Sequence, residues 1–240
     1  MTDMFDVVSR GLKASKDPNE HLLFESVLRG DLVTLRTLLE GGTCPNSRHG
    51  FGYKTPLMSA SQWNRGAVEL LVSAGSDVAL QDAVGNTALH VASLYSKHSV
   101  SDGSASIMDI LLAAGADPRA TNFSGLTPLH IASSPEAIRL LVRAGADPNA
   151  VSVEGDNPLH YAVSPANVFA LLEAGADPYK RNVQGRTPVE ELQLRAACLA
   201  DWQAPATALE KYLVATSLRS AGITDGKAFE VEAPRIRLRL

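Results

Sequence analysis

A punctuation of small residue, glycine, small residue and aspartate recurs along this 240-residue chain. Its copies are Ala74-Gly75-Ser76-Asp77, Ala114-Gly115-Ala116-Asp117, Ala144-Gly145-Ala146-Asp147 and Ala174-Gly175-Ala176-Asp177, with a degenerate copy at Gly41-Gly42-Thr43-Cys44. The aligned glycines Gly42, Gly75, Gly115, Gly145 and Gly175 are spaced by 33, 40, 30 and 30 residues. Self-similarity at such a period implies an array of stacked units, because one unit cannot bury its apolar face alone. A leucine-rich stretch of helical period precedes each glycine, as in Ile138-Arg139-Leu140-Leu141-Val142. Glycine closes that helix because the position after a helix often takes a positive φ, which costs a residue without Cβ little.

A second signature follows each glycine: Thr55-Pro56-Leu57-Met58, Thr87-Ala88-Leu89-His90, Thr127-Pro128-Leu129-His130, Asn157-Pro158-Leu159-His160 and Thr187-Pro188-Val189-Glu190. Its chemistry is that of a helix start. Thr or Asn serves as N-cap, accepting a backbone N–H, and Pro at the next position gives up an N–H that has no helical partner anyway. Leu turns inward, and the alanine three residues on (Ala60, Ala92, Ala132, Ala162) lets neighbouring helices approach closely.

Loop, T-P-L-H-x-A helix, turn, leucine-rich helix and G-A-D resemble the ankyrin repeat, and the resemblance covers Glu20 to Val189. It implies an all-α fold, an ankyrin-repeat solenoid of about six stacked helix pairs with hairpin-like finger loops. Residues 1–19 form an N-terminal segment, 20–188 the repeats, 189–220 C-terminal capping helices and 221–240 a tail. The pair His21–Gly30 and Leu32–Leu39 lacks the helix-start signature and resembles an N-terminal cap. Beyond Thr187 the pattern drifts, with Glu190 in place of His. Leu192, Leu194, Leu199, Leu209 and Leu213, with Trp202 and Tyr212, read as capping helices that cover the open end of the core.

Two repeats are short. Ser134-Pro135-Glu136 and Ser164-Pro165-Ala166 restart the chain as a second helix, Ser capping and Pro at the first helical position, so these pairs are expected to be stubbier. One repeat is long, with a polar serine-rich insert from Ser96 to Ser106 that reads as a flexible loop or as a segment that touches a partner or is modified. The tail ends Pro234-Arg235-Ile236-Arg237-Leu238-Arg239-Leu240 and reads either as a loosely packed disordered segment or as a strand that pairs with a partner's sheet edge.

Composition narrows the function. A hydrophobic share of 45% can bury a core, and a formal net charge of −4 spread along the chain lacks the concentrated basic face that nucleic acid needs. No apolar run reaches the ~18 residues that span a bilayer. Met1 to Leu12 contains Asp3, Asp6 and Arg10 and has no continuous apolar core of a secretory signal. Cys44 and Cys198 do not make a disulfide framework or zinc site, which fits a reducing, cytoplasmic compartment, with the nucleus or delivery into a host cell as alternatives. His90, His130 and His160 recur in repeat register, each expected to brace an adjacent loop by hydrogen bonds rather than to bind metal. No nucleophile–base set or phosphate-cradling glycine motif stands outside that register. The expectation is a non-enzyme with no catalytic residue, metal or cofactor.

The resemblance places partner contacts on finger tips and on the exposed side of each first helix. Counting from each helix-starting Thr or Asn, the candidates are Phe51, Tyr53, Lys54, Gln62, Trp63, Leu94, Tyr95, Phe123, Leu126, Val153, Glu154 and Arg186. The same count gives finger positions at Val84, Asp156 and Val183, among others, and less secure helix positions at Ser134 and Ser164. Tyr53 occupies a position where the repeat usually has Gly. The chain has 13 aromatic residues, and Phe51, Tyr53, Trp63, Tyr95 and Phe123 all fall on this surface. Either they form a binding stripe, as aromatics desolvate much area at little rotamer cost, or some tuck against neighbouring fingers. The expected function is a monomeric adaptor, inhibitor or scaffold whose partner is another protein, with no nucleic acid or membrane ligand. The alternatives are an accessory or regulatory subunit of an enzyme, or a bacterial effector or toxin-neutralising protein that binds in the same way.

Overall fold

A computed structural model describes residues 18–48, 52–96, 106–198 and 203–220, and among these the chain is helical with no β-strand. It divides into two compact units, one ending at Asp147 and one beginning at Pro148.

In the first unit α1 (Pro18–Arg29) pairs with α2 (Leu32–Glu40), α3 (Pro56–Ala60) with α4 (Arg65–Ser73), and α5 (Ala88–Leu94) with α6 (Ile107–Ala113). First helices pack in one row, α1 on α3 and α3 on α5, and second helices in another, α2 on α4 and α4 on α6. A single turn at residues 128–131 then precedes α7 (Pro135–Arg143). In the second unit a one-turn 3-10 helix (Pro158–Tyr161) precedes α8 (Pro165–Glu173), and α9 (Pro188–Cys198) precedes α10 (Gln203–Ser220). There α8 packs on the 3-10 turn and α10, and α9 likewise packs on that turn and α10.

The core is the repeat signature turned inward. Leu57, Leu89, Leu129 and Leu159 of the helix starts are fully buried, as are Leu71, Leu111, Leu141 and Leu171 of the second helices. Each second helix ends in the same way. Gly75, Gly115, Gly145 and Gly175 have φ between 81° and 99°, and the next N–H folds back onto the carbonyl five residues earlier, as in Ser76 to Leu71 (3.0 Å) and Ala146 to Leu141 (2.9 Å). This left-handed closure pairs a carbonyl that the helix end would otherwise leave open.

The short repeats are stubbier in a specific way: their first helix contracts to one turn. Pro135 and Pro165 push the preceding residue out of helical space, and Ser134 and Ser164 are extended at φ −133° and −152°. Both serines cap the second helix, accepting the N–H of Ala137 and of Asn167 at 3.2 Å. Ser134 is therefore buried, not an exposed helix position, and Ser164 is half-buried.

The side chains of the terminal helices differ in exposure. Leu192 and Leu209 are fully buried, Tyr212 and Leu213 half-buried, but Leu194 faces solvent; Leu199 and Trp202 lie outside the described residues. In α1 and α2 Leu22, Leu28 and Val33 are exposed.

Leu129→Ala and Leu159→Ala are each expected to cost ~2–5 kcal/mol of unfolding free energy, through lost transfer energy and the cavity left in a close-packed row. Chemical denaturation measures this, and a loss below about half a kilocalorie at both positions would place these leucines outside the core.

Candidate functional site

The fingers are built from small hairpins. Asp82 bonds to Asn86, Asn122 to Leu126, Ser152 to Asp156 and Asn182 to Arg186 through N–H···O=C contacts of 2.9–3.0 Å. The first side chain of each hairpin staples it shut. Asp82 Oδ1 accepts the N–H of Val84 (2.9 Å) and Asn86 (2.8 Å), and Asn122, Ser152 and Asn182 do the same in their own hairpins. The turn needs one left-handed residue. Gly85, Gly125, Gly155 and Gly185 supply it, whereas the first finger uses Tyr53 at φ 50°, a strained conformation for a side chain of that size.

Neighbouring fingers are zipped together within each unit. Ala83 N–H donates to the Gly52 carbonyl (2.9 Å), Phe123 N–H to Val84 (3.1 Å) and, in the second unit, Val183 N–H to Glu154 (2.9 Å). Side chains repeat the link: Asn122 Nδ2 to Asn86 Oδ1 (2.9 Å), and Asn182 Nδ2 to Asp156 Oδ1 (2.8 Å). Asp156, a finger position in the sequence count, is consequently buried.

Each finger leads into a helix start whose first N–H is closed by the side chain three residues on. Met58 Sδ accepts from Thr55 N–H (3.4 Å), and Nδ1 of His90, His130 and His160 accepts from Thr87, Thr127 and Asn157 at 3.1–3.2 Å. Glu190 Oε2 accepts from Thr187 (2.7 Å). Thr55 and Thr187 also accept the N–H of Met58 and Glu190, the N-cap role read from sequence. At Thr87 and Thr127 the hydroxyl instead donates to the histidine ring (2.9 Å). The far ring nitrogen reaches the next finger, with His90 Nε2 donating to the Leu126 carbonyl (3.0 Å) and His160 Nε2 to that of Arg186 (3.3 Å). Both rings are fully buried, and burial holds their pKa below the ordinary histidine value despite the carbonyl bonds and nearby carboxylates that favour the cation. Glu190 is exposed, and its pKa is lowered, chiefly by the Thr187 N–H.

The candidate contact residues divide by exposure. Trp63 (56%), Phe123 (66%), Val153 (69%), Leu94 and Tyr95 are exposed, as is Glu154, which accepts a bond from Gln184 Nε2 (2.7 Å). Tyr53, Lys54, Gln62, Leu126 and Arg186 are half-buried, and Phe51 lies outside the described residues. Gln62 and Trp63 sit in the turn after α3, not on the helix, because α3 ends at Ala60; Leu94 and Tyr95 close α5. Arg186 is a brace, donating from Nε to Glu191 (2.6 Å), which also accepts from Arg195 (3.2 Å). Arg195 in turn lies over the Tyr161 ring, 4.7 Å from its centroid. Two further finger positions that the count from the N-cap reaches, Val84 and Val183, are also exposed.

Phe123 is exposed, yet its backbone and ring lie against the preceding finger so closely that a Cβ on Gly85 would fall 2.6 Å from its N and 2.7 Å from Cδ1. Gly185 has a similar φ of 76° and nothing within 4 Å of such a Cβ. Gly185→Ala is thus expected to cost only the left-handed penalty of ~1–2 kcal/mol. Gly85→Ala adds a collision with fixed backbone and should cost roughly 1–3 kcal/mol more. Equal losses in denaturant melts of the two variants would show that the Phe123 contact does not constrain the finger.

A family model described as ankyrin repeats, in three copies, matches residues 97–182. No curated protein matches the chain.

Proposed function

The chain is an ankyrin-repeat protein, and from that premise we propose that it recognises a partner protein with its finger tips and the exposed ends of its first helices. Ankyrin repeats are protein–protein interaction modules and are typically non-catalytic. The observation that supports this placement is the set of large apolar side chains left in water on the first unit. Trp63, Val84, Leu94, Tyr95 and Phe123 are all exposed while the leucine rows fill the core without them. Folding does not require such side chains outside, and aromatic anchors in a polar frame are typical of interface centres. In the second unit Val153 and Val183 occupy adjacent exposed finger positions.

In this reading residues 20–188 are the recognition module, residues 189–220 close its end, and the protein acts as a monomeric, non-enzymatic adaptor, inhibitor or scaffold. No described helix is long and apolar enough to cross a membrane, and Cys44 is an exposed free thiol. We place the protein in a reducing cytosol-like compartment on that thiol.

The test uses a partner captured with the wild-type chain and identified by mass spectrometry. Trp63→Ala and Phe123→Ala are each expected to weaken its binding by ~2–4 kcal/mol, a ~30- to 1000-fold loss in affinity. Folding stability should change by only about 0.5 kcal/mol for Trp63→Ala, and somewhat more for Phe123→Ala because its ring rests on the Gly85 turn. Undiminished affinity in both variants would remove these side chains from the interface.

A further inference from the structure

We infer that His90 is a proton-sensitive clamp on the finger that carries Phe123 and Leu126, so that acid loosens the proposed binding face of the first unit. The inference rests on the reading of that finger as part of the binding face, and it adds a means of regulation.

The clamp follows from the two ring nitrogens being used in opposite senses. Nδ1 accepts both the Thr87 N–H (3.2 Å) and the Thr87 hydroxyl (2.9 Å), while Nε2 donates to the Leu126 carbonyl (3.0 Å). Only the neutral ring with its proton on Nε2 satisfies all three contacts. A proton arriving at Nδ1 sets a donor against the Thr87 N–H, and that N–H loses its acceptor in a position closed to water. The buried cation gains by turning outward to water, and its far nitrogen then leaves the Leu126 carbonyl.

The consequence falls on the finger because few bonds hold it. To the preceding finger it is joined by Phe123 N–H to Val84 and by Asn122 Nδ2 to Asn86. Gln81 Nε2 also donates to the Thr121 carbonyl at its base (2.9 Å), and the His90 bond to Leu126 is the one among these four links that uses a group titrating near neutrality.

The charged group facing His90 is Asp82, whose Oδ1 is already engaged by the N–H groups of Val84 and Asn86. In the second unit His160 is placed differently: its Nδ1 meets the Asn157 N–H (3.1 Å) but also the Asn157 amide oxygen (2.8 Å), an acceptor that favours a proton on that nitrogen, and its carboxylate setting is richer. Asp156 Oδ1 lies 3.7 Å from its Nε2, and Glu191 also acts on it, although Glu191 is shared with Arg186 and Arg195. Those carboxylates help to retain a protonated ring, so the finger ending at Arg186 is the less responsive of the two.

The sign follows from linkage. The clamped ring is neutral and resists protonation, while a released ring titrates near the ordinary value of 6.5. Above that pH both states are neutral and opening does not depend on pH. Below it the released state takes up a proton, and the opening equilibrium rises up to about tenfold per pH unit until the clamped ring itself titrates.

Amide hydrogen exchange on the free full-length protein tests this at ~pH 7.5 and ~pH 5.5, with rates normalised for intrinsic exchange. The amides of Phe123 and Leu126 should lose up to about tenfold in protection on acidification, and at least about threefold, relative to those of Val68 and Leu71 in α4 and of Val183 in the second unit. His90→Gln retains an N-cap acceptor that does not titrate, because Gln three residues after Thr completes a capping box, and should abolish that loss. Unchanged relative protection in the wild type, or an equal loss in His90→Gln, overturns the clamp. If His90→Gln does not fold, nitrogen NMR of the wild-type ring decides. The Nε2–H form at ~pH 7.5 must titrate together with the loss of finger protection, and titration without that loss overturns the inference equally. No partner enters these measurements, so the clamp can fail while the binding reading stands. A finger that opens with acid while partner affinity stays constant would instead count against the binding face.

Discussion

A helix that starts directly after a hairpin leaves its first N–H groups without partners, and both units depend on how that is resolved. The side chain three residues into the helix turns back to close the N–H of the cap, whether it is Met58, one of three histidines or Glu190. The choice has different consequences in each repeat. Sulfur and carboxylate only accept: Met58 closes its own helix start, and Glu190 does so while also taking Arg181 Nη1 (3.4 Å) at the foot of its own finger. Imidazole has a second nitrogen on its far side, and at His90 and His160 that nitrogen holds the carbonyl at the end of the following finger. Local capping thereby becomes the coupling between successive repeats, and the finger register is set from inside the helix row.

That register determines what reaches the surface. Each finger is stapled by its first side chain and closed by a left-handed turn, so the residues between are fixed relative to the helix start. Val84 and Phe123 emerge side by side in the first unit, and Val153 and Val183 in the second. These side chains can remain in water because the buried leucines already fill the interior.

Much of this arrangement is legible in the chain. The helix starts, glycine closures and core leucines follow from residue chemistry that holds at every copy, and the fingers follow from their fixed offset to Thr55, Thr87, Thr127, Asn157 and Thr187. The histidines could be assigned to bracing instead of metal because each falls at one repeat position. What was not legible depends on partners distant in sequence or on competing local preferences. Asp156 looks like a finger side chain, but Asn182 from the next finger covers it. Ser134 looks like an exposed helix residue, but the proline after it forces an extended backbone and turns the serine into a cap. Trp63 was placed on a helix that ends three residues earlier. Arg186 gave no sign that Glu191 would engage it, because that pairing depends on how α9 leaves the finger.

Repeat proteins invite treatment as strings of interchangeable modules. The contact between Phe123 and the turn at Gly85 limits that freedom, because the space the ring occupies is the space any side chain at residue 85 would need. The two positions belong to different repeats, yet they form one unit of shape. A repeat moved elsewhere in the stack would have to find a glycine turn ahead of its aromatic residue, or lose the aromatic in the move. Order along the chain is therefore written into the finger contacts, and recombination between these repeats is filtered by a pair of residues 38 positions apart.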